Sequence, residues 1–201
     1  MGRGLAVRLS AGNDVLIGSR SKERAEIIAG ELGTETKRQF AAGSNAEVAL
    51  DCDIAILAIP DLGDDSFYGE LMNPLGGKVV VSPIVPMASN GGMMTHALKE
   101  GSAAEHIASI LKESRVVAAF HNLPAKTLQR IERTAEFDVL VACDNQSDYD
   151  AVASLIHSVE GLRPIYVGPL SAARVVEEIT PLLLNAAKLN GLKRLSIRLV
   201  S

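Results

Sequence analysis

Short continuous apolar runs alternate along this chain with longer stretches whose apolar residues recur at helical spacing. The clearest run is DIAILAIP at residues 53–60, which carries no charge after Asp53. Such a run suits a strand buried on both faces. Further runs at residues 14–18, 78–83, 115–121, 137–144 and 163–168 also predict strands. Residues 21–32, 46–50, 66–72, 102–113, 124–133, 147–161 and 171–189 predict helices between and after them. Ser21 and Ser44 stand at N-cap positions, Gly33 is the expected stop of the first long helix, and Asn190-Gly191 that of the last. Residues 34–45 fit no single period and leave room for a short strand. Residues 84–101, with Pro, Gly and Met, read as a long loop. The tail, LKRLSIRLV, is expected to pair or dock.

Strand–helix alternation at this spacing predicts an α/β fold: a Rossmann-type, doubly wound parallel sheet with a small C-terminal helical subdomain. Residues 1–144 are expected to form the first part and residues 145–201 the second. The last helix contains Pro181 and is apolar over much of its surface. Helices of this kind often serve a small subdomain or a dimer contact, so a homodimer is expected.

The first twenty residues, MGRGLAVRLSAGNDVLIGSR, change this picture. A dinucleotide fingerprint runs strand, then G-x-G-x-x-G, then helix. Gly2 stands where the last of those glycines falls. A helix over residues 3–9 and the second strand follow at the expected distance. The first strand is expected to lie upstream of Met1, with the natural chain beginning roughly a dozen residues earlier. The intact mass of the protein from its native source decides the point.

Composition removes several classes of function. The net charge is −4 and aromatic residues make up 3%, which argues against nucleic-acid binding. No apolar run reaches the length of a membrane span, and the chain starts without a signal-peptide core, so a cytoplasmic protein is expected. Cys52 and Cys143 lie far apart in sequence and read as reduced core thiols. His96, His106, His121 and His157 show no metal-ligand spacing, and no metal is expected.

Four stretches carry candidate chemistry. Gly18-Ser19-Arg20 ends the second strand, where dinucleotide folds read the adenosine ribose. An acid there binds a free 2′-hydroxyl, whereas an arginine with small polar neighbours accepts a 2′-phosphate. Ser19 offers a hydroxyl and Arg20 a planar fork, with Lys22 and Arg24 adding charge one turn on. A solvated strand end is the simpler alternative. Ile59 and Pro60 end the central run and could pack against a cofactor, or simply form an ordinary turn. His121 ends another strand, where it could orient or protonate a bound ring or be a structural histidine. Arg174, Glu177, Glu178 and Thr180 interrupt the last helix. Arg174 and Thr180 could line a site mouth, or Arg174 could simply pair with Glu178 at i,i+4.

Taken in order, GSR, KVVVSPIVP (78–86), SAAEHIASIL (102–111), HNLPA (121–125), GLRPIYVGPLSAARVVE (161–177), TPLLLN (180–185) and NGL (190–192) resemble the coenzyme F420-dependent NADP reductase family over nearly the whole chain. The resemblance implies hydride transfer between NADP(H) and the deazaflavin F420, with the two rings stacked and water excluded. It implies 2′-phosphate contacts at Ser19, Arg20 and Arg24, and a nicotinamide carboxamide contact at Ala125. It places His121, Arg174 and Thr180 along the F420 site and Leu195 near the deazaflavin. The chain departs from the family at the phosphate loop, at DLGDDS (61–66), and at Glu178, where a small hydroxyl residue is expected. A related reductase of a flavin or ferric acceptor, and a non-catalytic NADP-binding protein, are the alternatives.

Overall fold

The computed structural model describes residues 1–130 and 136–200, so the expected helix over residues 124–133 lies partly outside the described residues. Strands β3 (Ile54–Ile56), β4 (Val79–Ser82), β7 (Arg115–Ala118), β8 (Phe137–Ala142) and β9 (Leu162–Gly168) form one sheet in the order β3-β4-β7-β8-β9. Strands β1 (Leu16–Ser19) and β2 (Ala41–Ser44) pair in parallel as a second, two-stranded sheet. Among the described residues no ladder joins β1 to β3.

The large sheet is apolar on both faces, which accounts for the unbroken runs in the sequence. Val79, Val81, Val117, Val139 and Val141 face one cluster, closed by Leu5 and Leu9 of α1 (Gly2–Leu9) and by Val152 and Ile156 of α7 (Gln146–His157). Val80, Val116, Ala118 and Ala142 face the other. There Tyr68 of α4 (Asp65–Gly69), Leu71 and Leu75 pack with Ala103, Ala104 and Ile107 of α5 (Ala103–Ile110). Each large aliphatic side chain removed from water contributes about 1.5–3 kcal/mol.

Capping chemistry fixes the helices next to the small sheet. Helix α2 (Lys22–Thr36) starts where the Ser21 hydroxyl accepts the Arg24 amide, 3.2 Å away. It runs through the expected stop at Gly33 and ends with Lys37 in the left-handed region. Gly33 serves packing instead: a Cβ there would sit 3.1 Å from the Arg38 carbonyl. Ser44 and Glu47 form a reciprocal capping box on α3 (Asn45–Asp51). Lys78, entering β4, donates to the Ala49 and Leu50 carbonyls and so caps the other end of α3.

Helix α1 spans the two sheets. Leu5 and Leu9 pack on the large sheet's core, while Ala6 and Val7 pack with Leu32, Ile17 and Phe40 beside the small one. Arg3 pairs with Glu31 and Glu35 of α2. On the other side, Arg8 donates to the carbonyls of Leu128 and Thr127, at the end of α6 (Ala125–Leu128).

Two features depart from the sequence expectations. The sheet is mostly parallel, but β8 runs antiparallel to β7. Only the one-turn α6 is seen between them among the described residues, and it packs against α1. A parallel return ordinarily needs a full crossover helix. The stretch read as a long loop contains a hairpin, β5 (Met87–Asn90) with β6 (Met93–His96). Gly91 and Gly92, at φ 55° and 81°, make its two-residue turn. Such a turn demands positive φ at both positions. Beyond β9, a turn of 3-10 helix (Leu170–Ala172) leads into α8 (Ala173–Asn190), which carries Pro181 inside it. The tail docks: the Asp138 amide donates to the Ile197 carbonyl, and the buried Asp138 carboxylate accepts the Leu199 amide and two bonds from Arg163.

The contact between α1 and α6 leaves no room at Gly4. An added Cβ would lie 2.7 Å from the Leu128 Cβ and 3.2 Å from the Ala125 carbonyl. Gly4→Ala gains about 1 kcal/mol of helix propensity but forces two backbones apart, a cost of about 1–3 kcal/mol. We expect a net loss, seen in thermal unfolding as a melting temperature several degrees below that of the parent.

Candidate active site

Strands β3, β4 and β7 are parallel, so their carboxyl ends lie on one edge of the sheet, the edge where such folds bind ligands. Several expected site residues meet there. Beyond β3, Ile59 is half-buried and Pro60 exposed. Gly2 opens α1, and a Cβ on it would stand 3.1 Å from the Ala58 Cβ. The glycine therefore lets the helix start close against the turn that leads to Ile59. Ala125 opens α6, and its carbonyl would lie 3.2 Å from a Cβ on Gly4. Gly2 and Ala125 are thus brought to the same end of α1.

The polypeptide leaves β7 through an unusual turn. Phe120 is fully buried with φ 70°, a left-handed conformation rarely taken by a bulky residue. Backbone strain of this order, about 1–3 kcal/mol, gathers at functional positions. The next residue is His121, only 2% exposed. Neither ring nitrogen has a hydrogen-bond partner among the described residues. Burial alone lowers the imidazole to about 3, so the ring is neutral near pH 7.

Neighbouring segments hold this turn through its backbone. The Thr180 hydroxyl donates to the His121 carbonyl at 2.9 Å. The Ser196 hydroxyl donates to the Asn122 carbonyl at 2.8 Å, and Asn122 Nδ2 donates to the Asp138 carbonyl. Leu195, half-buried, precedes that serine and so comes close to the turn. The Ser82 hydroxyl at the end of β4, Asn122 Oδ1 and the Thr127 hydroxyl are buried without partners among the described residues. Buried polar atoms normally find partners. Polar atoms left free at the ends of β4 and β7 fit a bound ring system with hydrogen-bonding substituents.

The β1 end of the site is separate and exposed. Ser19 is half-buried, and Arg20, Lys22 and Arg24 face solvent. Lys22 lies 3.9 Å from Glu47. The Asp64 carboxyl is held below its usual range chiefly by the Ser66 hydroxyl and the Phe67 amide. The charge on Arg20 lowers it further. Asp64 is thus engaged as the N-cap of α4, and Arg20 is the smallest of the influences on it.

On α8, the simple pairing of Arg174 is present. Arg174 Nε donates to Glu178 at 2.9 Å and a terminal nitrogen donates to the Gly101 carbonyl at 2.9 Å. Glu178 is thus engaged at the helix surface. Glu177 and His96, which the sequence offered only as a polar break in the last helix and as a histidine outside any metal spacing, meet here without having been assigned a role. Glu177 is fully buried and accepts the Ala103 and Ala104 amides, the first turn of α5, at 3.0 and 3.2 Å. His96 Nε2 lies 2.8 Å from the same carboxylate. Burial pushes the Glu177 carboxyl up, and the bonds from Ala103, His96 and Ala104 oppose that rise. The available signal was spacing: Arg174, Glu177 and Thr180 recur every three residues, on one helix face. No group of residues suited to a metal ion exists among those described.

Comparison with known proteins bears on the family. Residues 1–86 match the family described as NADP oxidoreductase, coenzyme F420-dependent. The chain is 35% identical to the F420-dependent NADP reductase of Methanothermobacter marburgensis, covering 100% of this chain and 93% of that protein. It is 36% identical to the enzyme of the same name from Methanocaldococcus jannaschii, covering 91% and 86%. In fold it resembles the crystal structure of a candidate F420-dependent NADP reductase from Arthrobacter sp. FB24, with a TM-score of 0.84 at 22% identity over 100% and 94% of the two chains. Full-length identity at this level, on a Rossmann-like sheet with its polar atoms gathered at the carboxyl edge, places the chain in the F420-dependent NADP reductase family.

Proposed function

We propose that this protein works as its relatives are named to work, as an NADP-dependent oxidoreductase that transfers hydride between NADP(H) and coenzyme F420. The observation that carries the site is the strained Phe120–His121 turn, with a buried, neutral, unpartnered imidazole at the sheet edge. The nicotinamide and the deazaflavin supply the redox chemistry: a hydride passes from one ring to the other, and deazaflavin reduction also takes up a proton.

The chain's own residues bind, orient and exclude water. Ser19, Arg20 and Arg24 are assigned to the 2′-phosphate. The glycine at the start of α1, Gly2, lets that helix end approach the cofactor, with Ile59 and Pro60 packed beside it. The half-buried Ala125 at the start of α6 is assigned to the carboxamide. His121, kept neutral by burial, can donate from one nitrogen and accept at the other. Arg174 and Thr180, assigned to the F420 side, act through the backbone of Gly101 and His121 to which they are bonded. Leu195 supplies an apolar contact to the deazaflavin. The division at residue 144 is one of role: β9 shares a sheet with β8, while α8 and the tail supply the F420 side.

The exposed apolar residues Val175, Leu182 and Leu189 of α8 support a homodimer, which sedimentation velocity checks. No described helix is long and apolar enough to cross a membrane. That, with the charge balance and reduced thiols, supports a cytoplasmic site of action and small-molecule partners in place of membrane or nucleic acid.

Loss of the visible F420 band on addition of NADPH tests the reaction, and NADPH oxidation by FMN or FAD with none by F420 would refute it. In the same assay Arg20→Ala should weaken NADPH by about 1–3 kcal/mol and NADH far less. Equal loss for both cofactors removes Arg20 from the phosphate site.

His121 also sets a pH dependence. Its folded-state value of about 3 lies below the unfolded value of about 6.5. Between these, the unfolded chain binds the extra proton, so stability falls as the pH drops. At pH 5 the loss is about 2 kcal/mol relative to neutral pH. His121→Gln should remove that part of the acid destabilisation. An unchanged difference between melting temperatures at pH 7.5 and 5 (assay conditions, roughly spanning the His range) would show that His121 is not the group responsible.

A further inference from the structure

Hairpin β5–β6 leaves the carboxyl end of β4 and returns to the start of α5, so it stands at the edge where the proposed site lies. All four residues of β5 are exposed. A two-stranded hairpin is marginally stable on its own, so its position has to be set by whatever it leans on. Here that is α8. His96 meets Glu177, the Met94 amide and carbonyl meet the Asn185 side chain at 2.7 and 2.8 Å, and the Gly92 carbonyl accepts from Lys188. Rising from 92 to 96 in the strand corresponds to falling from 188 to 177 in the helix. The strand therefore lies lengthwise and antiparallel on α8.

The same carboxylate that holds His96 also holds the first turn of α5. One helical turn further along, Thr180 holds the His121 carbonyl. A shift of the hairpin is thus coupled through α8 to the turn that presents His121. His96 Nδ1 faces the Leu98 carbonyl at 3.4 Å, so the ring bridges the end of β6 and the following loop.

We propose that hairpin β5–β6 forms a wall of the F420 side of the site, and that Glu177 and Asn185 are positioning residues that fix it, Glu177 through His96 and Asn185 through Met94. This rests on the functional reading above and adds to it the residues that set acceptor affinity. Neither residue touches the reacting atoms. The consequence is a split: loosening the wall weakens F420 and leaves the NADP half, built on β1, α1 and α6, as it was.

The test uses the full chain and three variants. Glu177→Leu removes the acceptor for His96 and two amides, Glu177→Gln keeps the size and one acceptor, and Asn185→Ala frees Met94 without touching the buried carboxylate. KM for F420 should rise about five-fold or more in Glu177→Leu and Asn185→Ala, with KM for NADPH within about two-fold of the parent. Glu177→Gln should recover most of the loss. Hydrogen exchange in residues 87–97 should accelerate by about ten-fold in the same two variants while β7 and β8 stay protected. Asn185→Ala keeps the test decisive should Glu177→Leu fail to fold. Parallel changes in both KM values, or an unchanged KM for F420 in a variant whose hairpin exchanges faster, overturn the positioning role. A parent protein that does not turn over F420 instead overturns the functional reading, and the acceptor role of the hairpin with it.

Discussion

Backbone groups that leave a parallel sheet at its carboxyl edge have no ladder partners, and something else must meet them. In this protein α8 does so. Its side chains reach the carbonyls of Gly101 and His121, the amides that open α5, and both backbone groups of Met94. Each bond contributes modestly, about 1 kcal/mol net. Their joint effect is geometric. Three segments distant in sequence are referred to one rigid rod, and the turn carrying His121 inherits its position from that rod and from the docked tail.

The centre of the large sheet was legible because β4, β7 and β8 are buried along almost their whole length. A strand with no solvent face has no polar alternation to hide it, so residues 54–56, 79–82 and 115–118 stand out as apolar runs. Local capping was equally legible at Ser21 and Ser44, where donor and acceptor lie three residues apart. The direction of β8 was not, because it depends on where α6 packs. The hairpin was read as loop because its strands are only four residues long and show no clear alternation, although the Asn90-Gly91-Gly92 turn carried a usable signal. The end of the helix expected over residues 124–133 lies outside the described residues.

Site residues divide along the same line. His121, Ser19 and Arg20 were singled out for their places at strand ends, and Ala125 only by the family resemblance. Arg174 and Thr180 were singled out for polarity in an apolar helix, and the structure ties both to protein backbone. His96 and Glu177 are 81 residues apart in sequence and meet only in the folded chain. No periodicity links such a pair.

The side chain of Asn185 presents to Met94 the same pair of groups, one N–H and one C=O, that a neighbouring strand would offer. An unpaired strand edge invites a second chain to extend the ladder. A single amide from a helix occupies the central register of β6 and stops the ladder there. One asparagine on a helix thus seats the hairpin by occupying the outer edge of β6 at Met94, while β5 keeps its exposed side.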